Sequence, residues 1–159
     1  MHELHGWRLT HPDNLETAFT GKGSRENGGR WNHIGFPAVY TGACASVSVI
    51  EVLVHFELCD LQAMPFSIIY FTVKIPAFTR IERSAMPDDW QTDPPPKTLL
   101  DMGTKWLKEA KTPVLIVPCT TVPQDDTYVL NPRHPNLDLT INRVESFSYD
   151  PRITGKNEV

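Results

Sequence analysis

The sequence predicts a mixed α+β fold on three grounds. About seven short apolar runs bounded by Pro, Gly or Asp read as strands, about three segments carry helical spacing, and the two kinds do not alternate strictly. Residues 4–9 read as a first strand that carries Arg8. Pro12 and Asp13 suit the start of a short helix over 14–19, with Asp13 as its N-cap. Gly21, Gly23, Gly28 and Gly29 then mark a loop, which Pro37 closes before a strand over 38–41. The strongest helical pattern covers 45–58. Strands follow at 67–74 and 79–82. Residues 87–96 hold four prolines and three aspartates and are expected to form a surface excursion. Leu99, Met102, Trp106 and Leu107 give helical spacing over 98–110, with Thr98 as the cap. Residues 114–117 are all apolar between Pro113 and Pro118, as in a buried strand. A further strand at 128–130 stops at Pro132, a last one covers 143–150, and the polar C-terminal residues are expected to fray. With no repeat or linker, the chain reads as one domain over 1–159.

The bulk properties exclude several classes of function. A chain of 159 residues that is 40% hydrophobic can build a core without disulfides or metals. A net charge of -4 and a pI near 5.8, without a basic run, give no footprint for direct nucleic-acid binding. Cys44, Cys59 and Cys119 are widely spaced and form no C-x-x-C pair, and no H-E-x-x-H occurs. Neither a disulfide scaffold nor a metal site is expected. His2-Glu3-Leu4-His5 lacks the apolar stretch of a signal peptide, and no run approaches the roughly 20 residues of a membrane span. The cytoplasm is therefore the expected location.

A few residues can carry chemistry. Arg30 follows Gly28-Gly29, and such a backbone can adopt positive φ and approach an anion closely while the guanidinium grips it. A tight turn with an exposed Arg reads the same way. Glu51 falls among Val47, Val54 and Leu58 on one side and Ser48 and His55 on the other, so it is either paired for structure or has a task. Tyr40 ends the strand before that helix, where its ring either packs in the core or faces a ligand, and Trp31 poses the same choice. Cys119 lies just past an apolar strand with no His partner at hydrolase spacing, which favours a buried thiol over a nucleophile. Asn131-Pro132-Arg133-His134-Pro135 reads as a plain turn or a pocket rim.

In order, these pieces resemble the RES-domain family, the toxin half of bacterial Xre–RES toxin–antitoxin pairs. The resembling features begin with Trp7-Arg8-Leu9, Gly28-Gly29-Arg30-Trp31-Asn32, Gly35 and Tyr40-Thr41. They continue through the segments 49–55, 117–119 and 128–135, so that the motif-bearing core covers about 5–150. The family's Arg, Glu and Ser match Arg30, Glu51 and, in place of Ser, Cys119.

The resemblance implies a fold like that of diphtheria-toxin-type ADP-ribosyltransferases, with NAD in a cleft between two small sheets and no metal. It implies cleavage of the nicotinamide–ribose bond, depleting NAD by hydrolysis or phosphorolysis and arresting growth. On this reading Glu51 stabilises the charge developing on the ribose, and Arg30 and Arg8 hold the diphosphate. Tyr40 stacks on nicotinamide, Trp31 and Asn32 shape the same wall, Asn131 lies at the rim and Cys119 takes the positioning role of the Ser. The implied partner is a cognate Xre-type antitoxin, with a possible homodimer within the assembly. Two other readings stand beside it: ADP-ribosylation of a protein in the same cleft, and a non-catalytic interaction module whose site has decayed.

Overall fold

The computed structural model describes residues 1–155. Its strands are β1 (His2–Thr10), β2 (Val39–Gly42), β3 (Phe66–Ile75), β4 (Thr79–Arg80), β5 (Val114–Pro118), β6 (Asp126–Leu130) and β7 (Asp138–Phe147). Its helices are α1 (Lys22–Asn27), α2 (Ala45–Leu53), α3 (Leu58–Ala63), α4 (Lys97–Glu109) and α5 (Pro151–Thr154). The strands hydrogen-bond in the order β4-β5-β6-β2-β1-β3-β7. One seam divides this sheet, because β1 and β2 register only at Trp7 and Gly42. On either side the pairing is extensive, with β1 matched to β3 over its full length and β2 to β6 at four positions. The predicted pair of small sheets thus takes the form of two halves continuous through one bridge.

The apolar residues explain this arrangement. Val114 and Ile116 point one way from β5, and Leu115 and Val117 the other, so the all-apolar run reflects burial on both faces. Val39, Val114, Ile116 and Leu130 of one half join Phe71, Val73 and Ile75 of the other in a shared cluster. Leu115, Val117 and Val129 pack instead against Leu99, Trp106 and Leu107 of α4, together with Trp31 and Trp90. On the second half, Leu9, Phe66 and Ile68 are covered by Leu61 of α3, Tyr149, and Val49, Val52 and Leu53 of α2. Burying each such side chain contributes about 1.5–3 kcal/mol.

Several local expectations are corrected. Residues 14–19 are not a helix: Pro12–Asn14 form a single 3-10 turn whose cap is His11, accepting from the Asp13 N–H. Thr17 and Thr20 then bond their hydroxyls to carbonyls three residues back, which competes with helix propagation. The glycine-rich loop contains α1, begun at Gly21 and ended at Gly28, both at positive φ. The helix over 45–58 is two helices, because the chain leaves α2 at Val54 and restarts after an extended Glu57. α4 is preceded by Pro96, with Thr98 inside it and making no cap bond. β7 begins at Asp138, earlier than expected, and α5 follows it with Asp150 capping the Arg152 N–H. The remaining C-terminal residues expected to fray lie outside the described residues.

One contact locks the Arg30 loop to the scaffold. A Cβ on Gly103 of α4 would sit 1.8 Å from the Trp31 carbonyl oxygen. Gly103→Ala should therefore lower unfolding stability by about 1–3 kcal/mol or more through overpacking. Gly23→Ala, in α1 with nothing within 4 Å of its Cβ, should raise it by about 0.5–1 kcal/mol. Urea denaturation of both variants measures the contrast, and equal effects would contradict the packing.

Candidate active site

The loop Gly29–Asn32 is folded around Tyr40. The Tyr40 hydroxyl accepts from the Trp31 N–H at 3.0 Å and donates to Asn32 Oδ1. Asn32 is fully buried and donates from Nδ2 to the carbonyls of Ser24, His33 and Phe36. Gly28 has φ +75, and a Cβ on Gly29 would meet the Tyr40 hydroxyl at 2.6 Å. The close approach that the two glycines permit is thus to Tyr40, not only to a ligand. Trp31 is 3% exposed and belongs to the core beside α4. Trp31 and Asn32 therefore hold the loop in place from its buried side.

This turn sets Arg30 in place. Its Nη1 donates to the carbonyls of Trp90 at 3.0 Å and Thr92 at 2.8 Å. Nε and Nη2 have no protein hydrogen bond among the described residues. Burial pulls the Arg30 guanidinium below its ordinary pKa, while the charges of Asp93, Glu51 and Tyr40 act in the opposite sense. Burial likewise pushes the Tyr40 phenol well above its usual value, against the Trp31 N–H and Arg30.

Glu51, on α2, is half-buried. Its Oε1 accepts from Cys119 Sγ at 3.0 Å and Thr121 Oγ1 at 2.9 Å. Oε2 has no protein partner among the described residues. Glu51 is close enough to act electrostatically on Arg30, yet among the described residues no ion pair joins them. The structure thus brings Arg30, Tyr40, Glu51 and Cys119 to one region, where the Glu51 carboxylate acts on the Arg30 charge without a direct ion pair among the described residues.

Arg8 sits at the seam. Its Nη1 donates to the Tyr40 carbonyl at 2.7 Å, where β1 and β2 diverge, and its Nε is buried without a partner. Among the described residues no carboxylate pairs with it, and burial lowers its pKa to about 10. A half-buried cation without a carboxylate partner invites an anion. Asn131 lies elsewhere. β5 and β6 place it at the opposite strand ends from Cys119, and it bonds the Leu107 carbonyl and the Arg133 N–H. Its geometry is that of a turn.

Two features escaped the sequence. Thr121 reaches Glu51 from a short hydroxyl-rich stretch, Thr120-Thr121, whose only signal is its place just after a buried strand. The Pro-rich excursion is a strap: Trp90 anchors in the core, its carbonyl and that of Thr92 hold Arg30, and Gln91 donates to the Thr120 carbonyl at 3.0 Å. A Trp amid aspartates and prolines was the available clue. The hollows beside α4, lined by His33, Asp101 and Thr104 or by Ile81, Met102 and Trp106, contain neither Arg30 nor Glu51. Among the described residues no cluster of His, Cys, Asp or Glu could hold a metal, and no helix is long and apolar enough to cross a membrane.

Comparison with known proteins adds the family. The RES domain model matches residues 5–151. The chain belongs to the RES domain family. It is 34% identical over 142 residues to a protein named Toxin Res of Yersinia enterocolitica, covering 87% of this chain and 92% of that one. It is 26% identical over 143 residues to a Sphingobium protein named Prs ADP-ribosylating toxin, covering 86% and 87%. The fold matches a chain in the crystal structure of the M. tuberculosis MbcT-MbcA toxin-antitoxin complex, with a TM-score of 0.77 at 17% identity over 96% of this chain and 87% of that one.

The Cys119 thiol is fully buried, and burial and its bond to Glu51 push its pKa up. The fold therefore favours the protonated donor. The associated stability is fully present below the ordinary thiol value of about 8.5 and is lost as pH rises through the higher folded value. At about pH 7.5, iodoacetamide should label exposed Cys59 far faster than Cys119, as read by peptide mass spectrometry. Equal rates would contradict the buried, protonated thiol.

Proposed function

We propose that this RES-family protein is a toxin that binds NAD and breaks its bond between nicotinamide and ribose. The observation that supports the reading is a Glu51 carboxylate anchored through one oxygen and lying near enough to act on the Arg30 charge without pairing with it; on this reading the two face one bound molecule. As the C1′–N bond breaks, its electron pair leaves with nicotinamide and positive charge develops on the ribose. Glu51, held through Oε1, presents Oε2 to that charge. An acceptor oxygen then bonds to C1′ and releases its proton to solvent. Arg30 holds the diphosphate through Nε and Nη2, and Arg8 supplies a second positive charge at the seam. Tyr40 keeps both in position through its hydroxyl and its carbonyl.

With water or phosphate as acceptor, the reaction depletes NAD and arrests growth. A protein acceptor is the second reading, favoured by the name of the Sphingobium relative. A cognate antitoxin of Xre type, covering the entrance, fits the toxin–antitoxin context of the structural neighbour, and cytoplasmic action follows from the substrate. The chain is proposed to act as a single RES domain.

Glu51→Gln keeps the shape of the side chain and should lower nicotinamide release from NAD by about 10²-fold or more, with an unchanged melting temperature. Turnover equal to the parent would refute the assignment. Following the ADP-ribose moiety of labelled NAD separates the acceptors: free ADP-ribose or its phosphate in one case, a labelled protein in the other. Arg30→Lys retains charge but loses the fork, and should raise KM about tenfold with a smaller effect on kcat.

A further inference from the structure

We infer that Thr121 is the residue that positions Glu51, supplying from two residues further along the chain the hydroxyl that Cys119 does not provide. This inference rests on Glu51 being the acid of the proposed reaction.

Three contacts form a closed triangle. Thr121 Oγ1 lies 2.9 Å from Glu51 Oε1, Cys119 Sγ lies 3.0 Å from the same oxygen, and the sulfur and hydroxyl lie 3.2 Å apart. The two donors are unequal. A thiol is a weak donor, whereas a hydroxyl to a carboxylate makes a strong, charge-assisted bond. They also differ in place: Cys119 is fully buried beneath the carboxylate, and Thr121 approaches from the exposed side. With both bonds on Oε1, the carboxylate cannot rotate freely, and Oε2 is the oxygen left for substrate.

The local backbone fixes Thr121 for this task. The Cys119 N–H bonds the Asp125 carbonyl, the Asp125 N–H bonds the Val122 carbonyl, and Gln91 holds the Thr120 carbonyl. The hydroxyl therefore hangs from a turn clamped on both sides, and β-branching restricts its χ1. A Ser at 119 would place a hydroxyl on the buried side of the same carboxylate. One well-placed hydroxyl at either position suffices.

The test is a set of variants assayed by nicotinamide release from NAD, in buffer containing phosphate and cell lysate so that every acceptor is present. Thr121→Val preserves shape and removes the hydroxyl. It should lower kcat about tenfold with KM within about twofold, because only the acid and not the diphosphate grip is disturbed. Thr121→Ser should recover most of that loss. Cys119→Ser combined with Thr121→Val should also recover it, although Cys119 and Thr121 are then both altered. If Thr121→Val keeps the parent kcat while Glu51→Gln is inactive, the proposal fails and the reading of Glu51 stands. If neither the Ser variant nor the double variant recovers activity, Thr121 is a packing residue and the proposal is likewise overturned. If Glu51→Gln itself turns over NAD normally, the site reading falls and takes this inference with it.

Discussion

Tyr40 is the side chain on which the rest of the site depends. Its hydroxyl closes the Gly29–Asn32 turn by accepting from Trp31 and donating to Asn32, and its carbonyl receives the Arg8 guanidinium across the seam between β1 and β2. One residue thus joins the two sheet halves and shapes the loop that presents Arg30. Gly29 must lack a Cβ because the hydroxyl occupies that space, and Gly103 must lack one because the Trp31 backbone lies against α4. The loop is held from both sides and its geometry is not free to drift.

Charge placement follows the same economy of contacts. Three ionisable groups are held at separate places: Arg8 at the seam, Arg30 under the strap, and Glu51 against the 119–121 turn. Each is steadied by neutral groups, namely carbonyls for the two guanidinium groups and a thiol and a hydroxyl for the carboxylate. Neutral partners orient an ion without cancelling its field, which is the condition for electrostatic action on a bound molecule. Burying charge in this way costs stability, and the surrounding apolar clusters offset that cost.

Much of the scaffold was legible in the chain. The apolar run between Pro113 and Pro118, the helical spacing of Leu99, Trp106 and Leu107, and the strand over 67–74 all correspond to observed elements. Those signals are strong because burial on known faces imposes them. α1 was hidden, since the glycines that delimit it read as loop residues and only Gly23 lies inside. The break after α2 was hidden too, because the apolar pattern continues through Val54 and Phe56 although both are exposed. Within the site, Arg30 and Glu51 were marked by local context, but what lies beneath them was not. Sequence spacing cannot reveal that Asn32 spends its amide on three carbonyls, that Asn131 belongs to a distant turn, or that Trp90 draws a polar excursion over Arg30. Those are consequences of packing between segments far apart in the chain.

The proposed reaction requires Glu51 and Arg30 to face a single bound NAD. A crystal structure of the Glu51→Gln protein soaked with NAD tests it most directly. The expected complex has the diphosphate against Arg30 and the nicotinamide ribose beside residue 51, with the Thr121 hydroxyl still bonded to that side chain. NAD bound away from these residues, or no NAD bound at millimolar concentration, would contradict it.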